Sequence, residues 1–352
     1  MSNVAYNIGF CRAKNNNYQD TFTPSYKMSS KEVKFVKMEM NKFPEDVQYR
    51  KKLLIDMGIN PSEYYKLRSI IGIDEFKSAI KELDGNGGKS YKPGERPLGK
   101  ESVLDSYGLE NLKSGVFRAN FHIHSNNSDG KLSVQEILDS AVEYADNLKK
   151  TKNKPFYIAI TDHNTVEGCK EAIEIIRQNP KKYQNLRVIL GSELSLKLES
   201  IGDFELKKPQ SVHLLAMCLN PYDKKLSEFL DDFVENKNNP MEAKFITLND
   251  GVNALSNQKY CGFALAHPAW PYLPNIMKKP EFYLDAMKQY IKTFANIAKD
   301  RILYMEVHYQ SYDSDIAEDT KLLKTVEKTT QNLGINSAGG IDTHGKSIFY
   351  NK

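Results

Sequence analysis

The seven histidines of the sequence lie on, or just beyond, short apolar or β-branched runs that predict β-strands. In Phe121-His122-Ile123-His124 the two imidazoles stand at positions i and i+2, so both point to one face of a strand. Two imidazoles on one face can reach the same ion, and imidazole nitrogen is a common ligand of Zn²⁺, Mn²⁺ and Fe²⁺. The spacing therefore predicts a metal site at the end of this strand.

Carboxylates and further imidazoles follow the other predicted strands. The whole predicted ligand set is His122, His124, Asp129, His163, Glu193, His213, His267, Asp342 and His344. A structural zinc site needs four ligands and often uses cysteine, whereas this set contains no cysteine. Nine ligands predict more than one ion, with coordination positions left for water and substrate, which is typical of catalytic metal sites.

Other polar and aromatic residues near these motifs allow more than one interpretation. His308 is predicted to be a packed or supporting residue, and Asp162 to orient an imidazole. Glu306 ends a predicted strand and either faces the site or does not. Trp270 and Tyr272 follow His267 closely and could stack on a base or pack within their own loop.

From residue 116 onward, strand-like runs alternate with amphipathic helical stretches. The runs are VFRANFHI, FYIAIT, RVILGSELS, SVHLLAMCL, GFALAH, ILYMEVHY and INSAGGID. This alternation predicts parallel βα units and an α/β fold, and seven strands in about 230 residues favour a closed barrel. A polar hairpin is predicted between GSELS and SVHLLAM. In such barrels the carboxyl ends of the strands form the active site.

The first hundred residues have a different pattern. Residues 1–100 predict a mainly helical N-terminal extension, with an irregular start, three or four short helices within 30–83, and a Gly- and Pro-rich linker. The segment PSEYYKLRSIIG is one of these predicted helices. Residues 116–352 form the predicted barrel domain, and we expect the extension to pack against it as a cap.

Composition and charge limit the class of protein. Of the 352 residues, 40% are hydrophobic and 27% charged, which is ordinary for a soluble protein. No apolar run approaches the ~18 residues of a membrane span, and the first residues lack the apolar core of a secretory signal. The four cysteines, Cys11, Cys169, Cys218 and Cys261, form no CxxC pair, so we expect packed thiols. These features predict a cytoplasmic protein with no membrane partner.

The net charge of +4 is unevenly distributed. Residues 1–100 hold 18 Lys and Arg against 12 Asp and Glu, an excess of six positive charges. This excess is either a solvated surface or a weak contact region for a polyanion. The sequence leaves the oligomeric state open.

Five motifs, FHIHSNNSDGKLS, AITDHNT, GSELS, AHP and GGIDTHG, resemble in order those of the polymerase-and-histidinol-phosphatase (PHP) family, over roughly residues 117–345. The resemblance implies a distorted seven-stranded (β/α)7 TIM-like barrel with a trinuclear metal site. One ion would be held by His122, His124, Glu193 and Asp342. Glu193 would bridge to a second ion, held with His213 and His267. The third would be held by Asp129, His163 and His344. His213 is matched by position only, and Asn120 stands where the family often has Asp.

The same resemblance implies hydrolysis of a phosphate ester by a metal-activated hydroxide, with Asp129, His163, His344 and Glu193 as catalytic residues. Two or three ions of Mn²⁺, Fe²⁺ or Zn²⁺ are expected. The compact HSNNSDGKLS motif resembles the branch that acts on nucleotides and RNA ends, so a nucleotide or the 5′ end of an oligonucleotide is the predicted substrate. Histidinol phosphate, or another small phosphate ester, is the alternative. A third hypothesis gives the function to the N-terminal helices, which would bind nucleic acid or a protein, with the barrel as a metal-stabilised scaffold.

Overall fold

The structure is a computed structural model that describes residues 59, 67, 70–72, 119–231, 246–258, 261–268, 273–299, 301–309, 317–340 and 342–348. Most of the predicted extension lies outside the described residues. The division of the chain into 1–100 and 116–352 therefore stays a prediction.

Strands and helices alternate along most of the described chain. The strands are β1 Ile71–Gly72, β2 Ala119–Asn120, β3 Phe156–Ile160, β4 Leu186–Ile201, β5 Phe204–Met217, β6 Gly262–Leu265, β7 Ile302–Tyr309 and β8 Asn336–Gly340. The helices are α1 Val134–Lys152, α2 Glu167–Gln178, α3 Lys224–Asp231, α4 Leu248–Ala254, α5 Leu273–Ile276, α6 Tyr283–Ile297 and α7 Ala317–Asn332, with a 3₁₀ turn at Pro280–Phe282 before α6. The predicted α/β class is confirmed.

The strands form one curled sheet in the order β2-β3-β4-β5-β6-β7-β8, with β1 paired to β4. Neighbouring strands are parallel except at β5, which is antiparallel to both β4 and β6. The prediction of parallel βα units is therefore wrong at β5. Only Gly202 and Asp203 separate β4 from β5, and a connection this short joins antiparallel strands only. Gly202 has a φ of +58°, which favours glycine, and the predicted polar hairpin is present as an extension of both strands.

The two ends of the sheet approach each other just beyond β2 and β8. The N–H of His124 donates to the carbonyl of Thr343 at 3.0 Å, and the N–H of Thr343 donates to the carbonyl of His122 at 3.1 Å. Ile123 and Thr343 form a parallel bridge between these bonds. The sheet is thus curled far enough for its first and last described strands to share backbone hydrogen bonds.

Helix α1 has a defined start that limits the length of the loop before it. Ser133 accepts a hydrogen bond from the backbone N–H of Glu136, while the Glu136 carboxylate accepts from the backbone N–H of Ser133. This capping box fixes the first turn of α1. Val134 and Ile137 then bury the apolar face of the helix in the core. The loop that joins β2 to α1, and carries Asp129, is therefore tethered at both ends.

Strand β1 brings residues of the predicted extension into the core. Ile59, Leu67, Ile70 and Ile71 are each at most 2% exposed and pack in the main hydrophobic cluster. Ile71 pairs with Val188 of β4, whose N–H donates to the carbonyl of Ile70 at 2.6 Å. The predicted helix PSEYYKLRSIIG is wrong at its end, because the last two residues find strand partners in β4 instead of helical ones. These four residues of the predicted extension pack in the core, while the prediction that the extension as a whole caps the domain stays a prediction.

The described residues contain no helix that combines the length and the apolar character needed to cross a membrane. Cys169, Cys218 and Cys261 are buried, as predicted for packed thiols, whereas Cys11 lies outside the described residues. Burial raises the pKa of the Cys169 and Cys261 thiols. The cytoplasmic location stays a prediction.

Candidate metal centre

The structure brings all nine predicted ligands together at one edge of the sheet. They lie at the carboxyl ends of β2 (His122, His124), β3 (His163) and β6 (His267), within β4 (Glu193) and β5 (His213), after β8 (Asp342, His344), and in the loop before α1 (Asp129). Parallel strands place their carboxyl ends at the same edge. The antiparallel β5 reaches this edge with its middle, because Ser195 of the hairpin pairs with His213.

The inner group consists of His122, His124, Glu193 and Asp342, all of which are buried. Nε2 of His122 lies 3.0 Å from Oε2 of Glu193 and 3.1 Å from Oδ1 of Asp342. Nε2 of His124 lies 3.0 Å and 3.2 Å from the same two oxygens. The i, i+2 spacing predicts that the two imidazoles reach the same point, and both lie beside the same two carboxylate oxygens.

The middle group consists of His163, Glu193 and His213. Nδ1 of His163 lies 3.2 Å from Oε2 of Glu193, and Nδ1 of His213 lies 3.0 Å from Oε1. Nε2 of His267 lies 3.2 Å from the same Oε1 and 3.3 Å from Nδ1 of His213. The two oxygens of Glu193 thus face different sets of imidazoles, as expected of a bridging carboxylate.

The outer group consists of His124, Asp129, His163 and His344. Oδ2 of Asp129 lies 3.2 Å from Nε2 of His344 and 3.7 Å from Nε2 of His163. The side chains of Asp129 and His344 are 35% and 31% exposed, so this group opens to solvent. His163 and His124 each contribute one nitrogen to this group and the other to a deeper group, which the sequence did not predict.

The model of the PHP domain matches residues 120–310, the span from β2 to just beyond β7 and more than half of the chain. The chain belongs to the PHP domain family. A DNA polymerase/3′-5′ exonuclease PolX of Bacillus subtilis is 25% identical over 122 residues, which is 32% of this chain. The chain spans only 20% of the length of that relative.

Buried polar atoms of this PHP domain test whether divalent ions fit. Nε2 of His122, both ring nitrogens of His124, Nδ1 of His163 and Oε2 of Glu193 are buried and have no hydrogen-bond partner among the described residues. Some of these atoms approach one another to about 3 Å, but without the alignment of a hydrogen bond. Leaving such groups unsatisfied is costly, and a cation between them removes the cost. The nitrogen and oxygen donor set fits Zn²⁺, Mn²⁺ or Fe²⁺.

The electrostatics of the PHP site keep its carboxylates ionised. Burial alone would raise the pKa of Glu193, but the charge of His122 and of neighbouring imidazoles holds it well below its ordinary value. Burial alone would also raise the pKa of Asp129, but the hydrogen bond from His344 and nearby imidazoles lower it to about 2. Burial lowers the pKa of His163 to about 3, although the negative charge of Glu193 acts to raise it. The carboxylates and His163 are thus in the forms that bind metal. Burial alone would lower the pKa of His122, but the charges of Glu193, Glu306 and Asp342 raise it, so metal binding at His122 displaces a proton.

Glu306 supports two of the predicted ligands. Its Oε1 accepts a hydrogen bond from Nδ1 of His122 at 2.9 Å, and its Oε2 accepts from the backbone N–H of His267 at 2.7 Å. His267 has a φ of +28°, in a region that side chains rarely adopt. Glu306 therefore fixes the ring of one histidine and the strained backbone of another. The sequence left its orientation open, and its place in the predicted strand ILYMEVHY was the signal for it. The strand continues to Tyr309, so Glu306 does not end it as predicted.

Asp162 holds the loop that carries Asp129, and its hydrogen bonds differ from the prediction. Its carboxylate accepts from the N–H and Oγ of Ser125 at 2.6 and 2.8 Å, and from Oγ of Ser128 at 2.8 Å. The sequence predicts that Asp162 orients an imidazole. Its carboxylate instead accepts these hydrogen bonds from two serines and so anchors the loop. The side-chain amide of Asn120 donates to the carbonyl of Ile348 at 2.9 Å.

Three further residues of the sequence interpretation cannot be placed at the site. Trp270 and Tyr272 lie outside the described residues. His308 lies in β7, where its backbone pairs with Gly339, but its side chain is outside the description. Their roles stay predictions.

Replacing Glu306 by glutamine is expected to weaken metal binding about 10- to 100-fold, as is usual for groups that orient a histidine ligand. Glutamine keeps the shape but turns one acceptor into a donor, which then faces an N–H. Titration against a chelating dye measures the affinity. Glu143→Gln, on the exposed face of α1, is the matched control. Equal affinities in the two variants would contradict the supporting role.

Replacing Gly130 by alanine is expected to displace Asp129. A Cβ at this position would lie 2.2 Å from the backbone oxygen of His124, and backbone cannot turn aside as a side chain can. We expect a lower melting temperature and at least a tenfold loss of activity. Lys131→Ala, at the next, exposed position, is the control. A Gly130→Ala protein that melts and reacts like the wild type would show that the loop position is not constrained.

Proposed function

We propose that this chain is a metal-dependent phosphoesterase with three divalent ions, one in each of the inner, middle and outer groups. The observation that carries the proposal is the position of Glu193, whose two oxygens lie within 3.2 Å of five imidazoles from four strands or their ends. One carboxylate shared among so many ligands places the groups within bridging distance. Divalent ions held this way lower the pKa of bound water and neutralise phosphoryl oxygens.

The residues of the outer group are the proposed contact with substrate. Asp129 and His344 are partly exposed, whereas the inner group is sealed from solvent. A phosphate ester therefore reaches the outer group first. Asp129 and His344 position its phosphoryl group. His163 joins the outer group of ligands to Glu193, which belongs to the two deeper groups. Asp129, His163, His344 and Glu193 are the catalytic residues in this proposal.

The proposed metal site depends on closure of the sheet. We infer that the curled sheet closes as the distorted seven-stranded TIM-like barrel expected of the family. The bridge between Ile123 and Thr343 supports closure, because it joins the two ends of the strand order. Closure places Asp342 beside His122, which the inner group requires.

The proposed substrate is a nucleotide or the 5′ end of an oligonucleotide. The relative in Bacillus subtilis is by its name a DNA polymerase and 3′-5′ exonuclease, so a similar domain occurs in a protein that acts on nucleic acid. The positive excess in residues 1–100 supports a polyanion as partner. The convergence of nine ligand side chains on one edge argues against a barrel that serves only as a scaffold for the extension.

Phosphate release tests the proposal. The Mn²⁺-reconstituted protein would be given adenosine 5′-monophosphate, a 5′-phosphorylated short RNA, histidinol phosphate and a phosphotyrosine peptide, and the series repeated with Zn²⁺ and Fe²⁺. We expect release from the first two, abolished in Asp129→Asn. Preference for histidinol phosphate would keep the phosphoesterase and replace its substrate. No release from any ester with any ion would overturn the proposal.

A further inference from the structure

Asn164, the residue directly after the predicted ligand His163, has a left-handed backbone. Its φ is +52°, a conformation that is rare for residues with a Cβ and that Asn adopts more readily than most. Strand β3 ends at Ile160, and its pairing with β4 continues through an isolated bridge between His163 and Glu193. The backbone of Asn164 therefore turns the chain away from β4 immediately after a residue of the middle group.

The side chain of Asn164 continues the pairing of the two strands past this turn. The N–H of Glu193 donates to the carbonyl of Asp162 at 3.1 Å, and the N–H of Asn164 donates to the carbonyl of Glu193 at 2.9 Å. In a regular parallel pair, the N–H of Ser195 would donate next to the backbone carbonyl of residue 164. It donates instead to Oδ1 of Asn164 at 2.8 Å. The side-chain oxygen thus takes the place of a backbone carbonyl.

The amide of Asn164 makes a second bond to the same residue of β4. Its Nδ2 donates to Oγ of Ser195 at 3.1 Å. Ser195 is 1% exposed and lies directly opposite His213 in the pairing of β4 with β5. Each residue of the middle group is therefore one step from Asn164 or its partner: His163 precedes it in the chain, Glu193 accepts from its backbone, and His213 lies opposite Ser195.

We propose that Asn164 is a positioning residue for the ion of the middle group, an inference that rests on the proposed function, of which this ion is a part. The amide bonds Ser195 through both its oxygen and its nitrogen, so Asn164 acts through its neighbours and not as a ligand. It holds the end of β3 against β4, where Nδ1 of His163 lies 3.2 Å from Oε2 of Glu193. Ligands on two different strands keep a separation that suits one ion only while the strands stay joined.

Two requirements at position 164 explain the residue type. The backbone must adopt a positive φ, and the side chain must offer an oxygen to the N–H of Ser195. Glycine meets only the first requirement. Aspartate meets both, and the hydroxyl of Ser195 can turn to donate to its second oxygen. Position 164 therefore offers one variant that removes the proposed role and one that restores it.

Asn164→Gly tests the proposal, because glycine keeps the left-handed turn and removes the amide. Titration of the metal-free full chain with Mn²⁺ against a chelating dye measures the affinity for each ion, and the absorption spectrum of the Co²⁺-loaded protein reports ligand geometry. We expect the affinity for one ion to fall about 10- to 100-fold, as for other groups that hold a ligand in place, and the Co²⁺ spectrum to change. The inner group should keep its ion, since Asn164 bonds only the backbone of Glu193.

Asn164→Asp is the rescue variant and should return both the affinities and the Co²⁺ spectrum to those of the wild type. A loss of stability alone would not change the spectrum of the folded, loaded protein. Wild-type affinities in Asn164→Gly would overturn the positioning role. An Asn164→Asp variant that binds as weakly as Asn164→Gly would also overturn it, because the side-chain oxygen would then not be what matters.

Asn153→Gly is the matched control. Asn153 has the same φ of +52°, but it follows α1 and precedes β3, so it lies at the other end of that strand from His163. This variant should keep wild-type affinities and the wild-type Co²⁺ spectrum. A loss of affinity equal to that of Asn164→Gly would show that the exchange of asparagine for glycine acts on the whole fold, and would overturn the proposal.

The metal titration requires no turnover, so it separates failure of the positioning role from failure of the proposed function. If the wild type binds its ions but releases no phosphate from any ester, the phosphoesterase proposal fails, and the Asn164 variants still decide the positioning role. If the wild type releases phosphate and Asn164→Gly keeps every ion at wild-type affinity, the positioning role fails alone. A wild type that binds no ion at the middle group would overturn the positioning role whatever its activity.

Discussion

Replacing Glu193 by glutamine is expected to lower the proposed phosphoesterase activity by about 10²- to 10³-fold, comparable with the loss of a principal electrostatic group at an active site. Glutamine has the same shape, so the change removes a charge rather than a volume. Oε1 faces His213 of the middle group, whereas Oε2 faces the inner group and His163. An amide nitrogen at either place would turn a donor toward a proposed ion. Two of the three proposed ions should therefore be lost together.

Elemental analysis of the purified variant would measure the ions retained, beside the rate of phosphate release. Glu199→Gln is the control, since Glu199 lies in the same strand but its side chain is 65% exposed and forms an ion pair with Lys197 at the surface. Such exposed ion pairs contribute little to the free energy of unfolding. If Glu193→Gln keeps a full set of ions, Glu193 does not bridge the groups. If it loses the ions but keeps the activity, the ions do not carry the reaction.

Removing residues 1–104 is expected to leave an insoluble or molten chain. Ile59, Leu67, Ile70 and Ile71 are fully buried, and burying each such side chain contributes about 1.5–3 kcal/mol. Together this approaches the ~5–15 kcal/mol by which whole domains are stable. The deletion also exposes the edge of β4 before Gly191, which β1 covers and β5 does not reach. An uncovered edge of this kind promotes aggregation.

Soluble yield and a thermal melt followed by circular dichroism would measure this effect. Within the full chain, Ile71→Asp should lower the melting temperature steeply. Phe282→Asp is the control because Phe282 is 43% exposed, and it should change little. A truncated protein that is soluble and active would make the extension a separate module, and would revive the hypothesis that it binds a partner of its own.

The sequence was sufficient for the parts of the site that depend on local spacing. The i, i+2 pair His122 and His124 needs only the alternation of a strand to converge, and the structure agrees. Strand direction is different, because the same alternation describes parallel and antiparallel strands. Only the two-residue connection before β5 decides its direction, and strand ends are not sharply marked in sequence. The sharing of His163 between two groups depends on the distance between strand ends, which no local pattern encodes.

The short strand β1 shows a second limit of prediction from local sequence patterns. The run Ser69-Ile70-Ile71-Gly72 ends a helical pattern and is too short to indicate a strand. Its conformation is decided by the uncovered edge of β4, more than a hundred residues later in the chain. Glu306 was uncertain for a similar reason, since either face of a strand suits a glutamate until its neighbours are known.

The bridge between Ile123 and Thr343 has a consequence for the order in which a newly made chain acquires its ions. Every residue of the middle group, and His267 beside it, precedes residue 268, whereas the inner and outer groups await Asp342 and His344. At about 5–20 residues per second, ribosomes need roughly 4–15 s to synthesise the 75 residues in between. The residues of the middle group are thus synthesised while the other two groups still lack a ligand, so an ion bound during synthesis is expected at the middle group first.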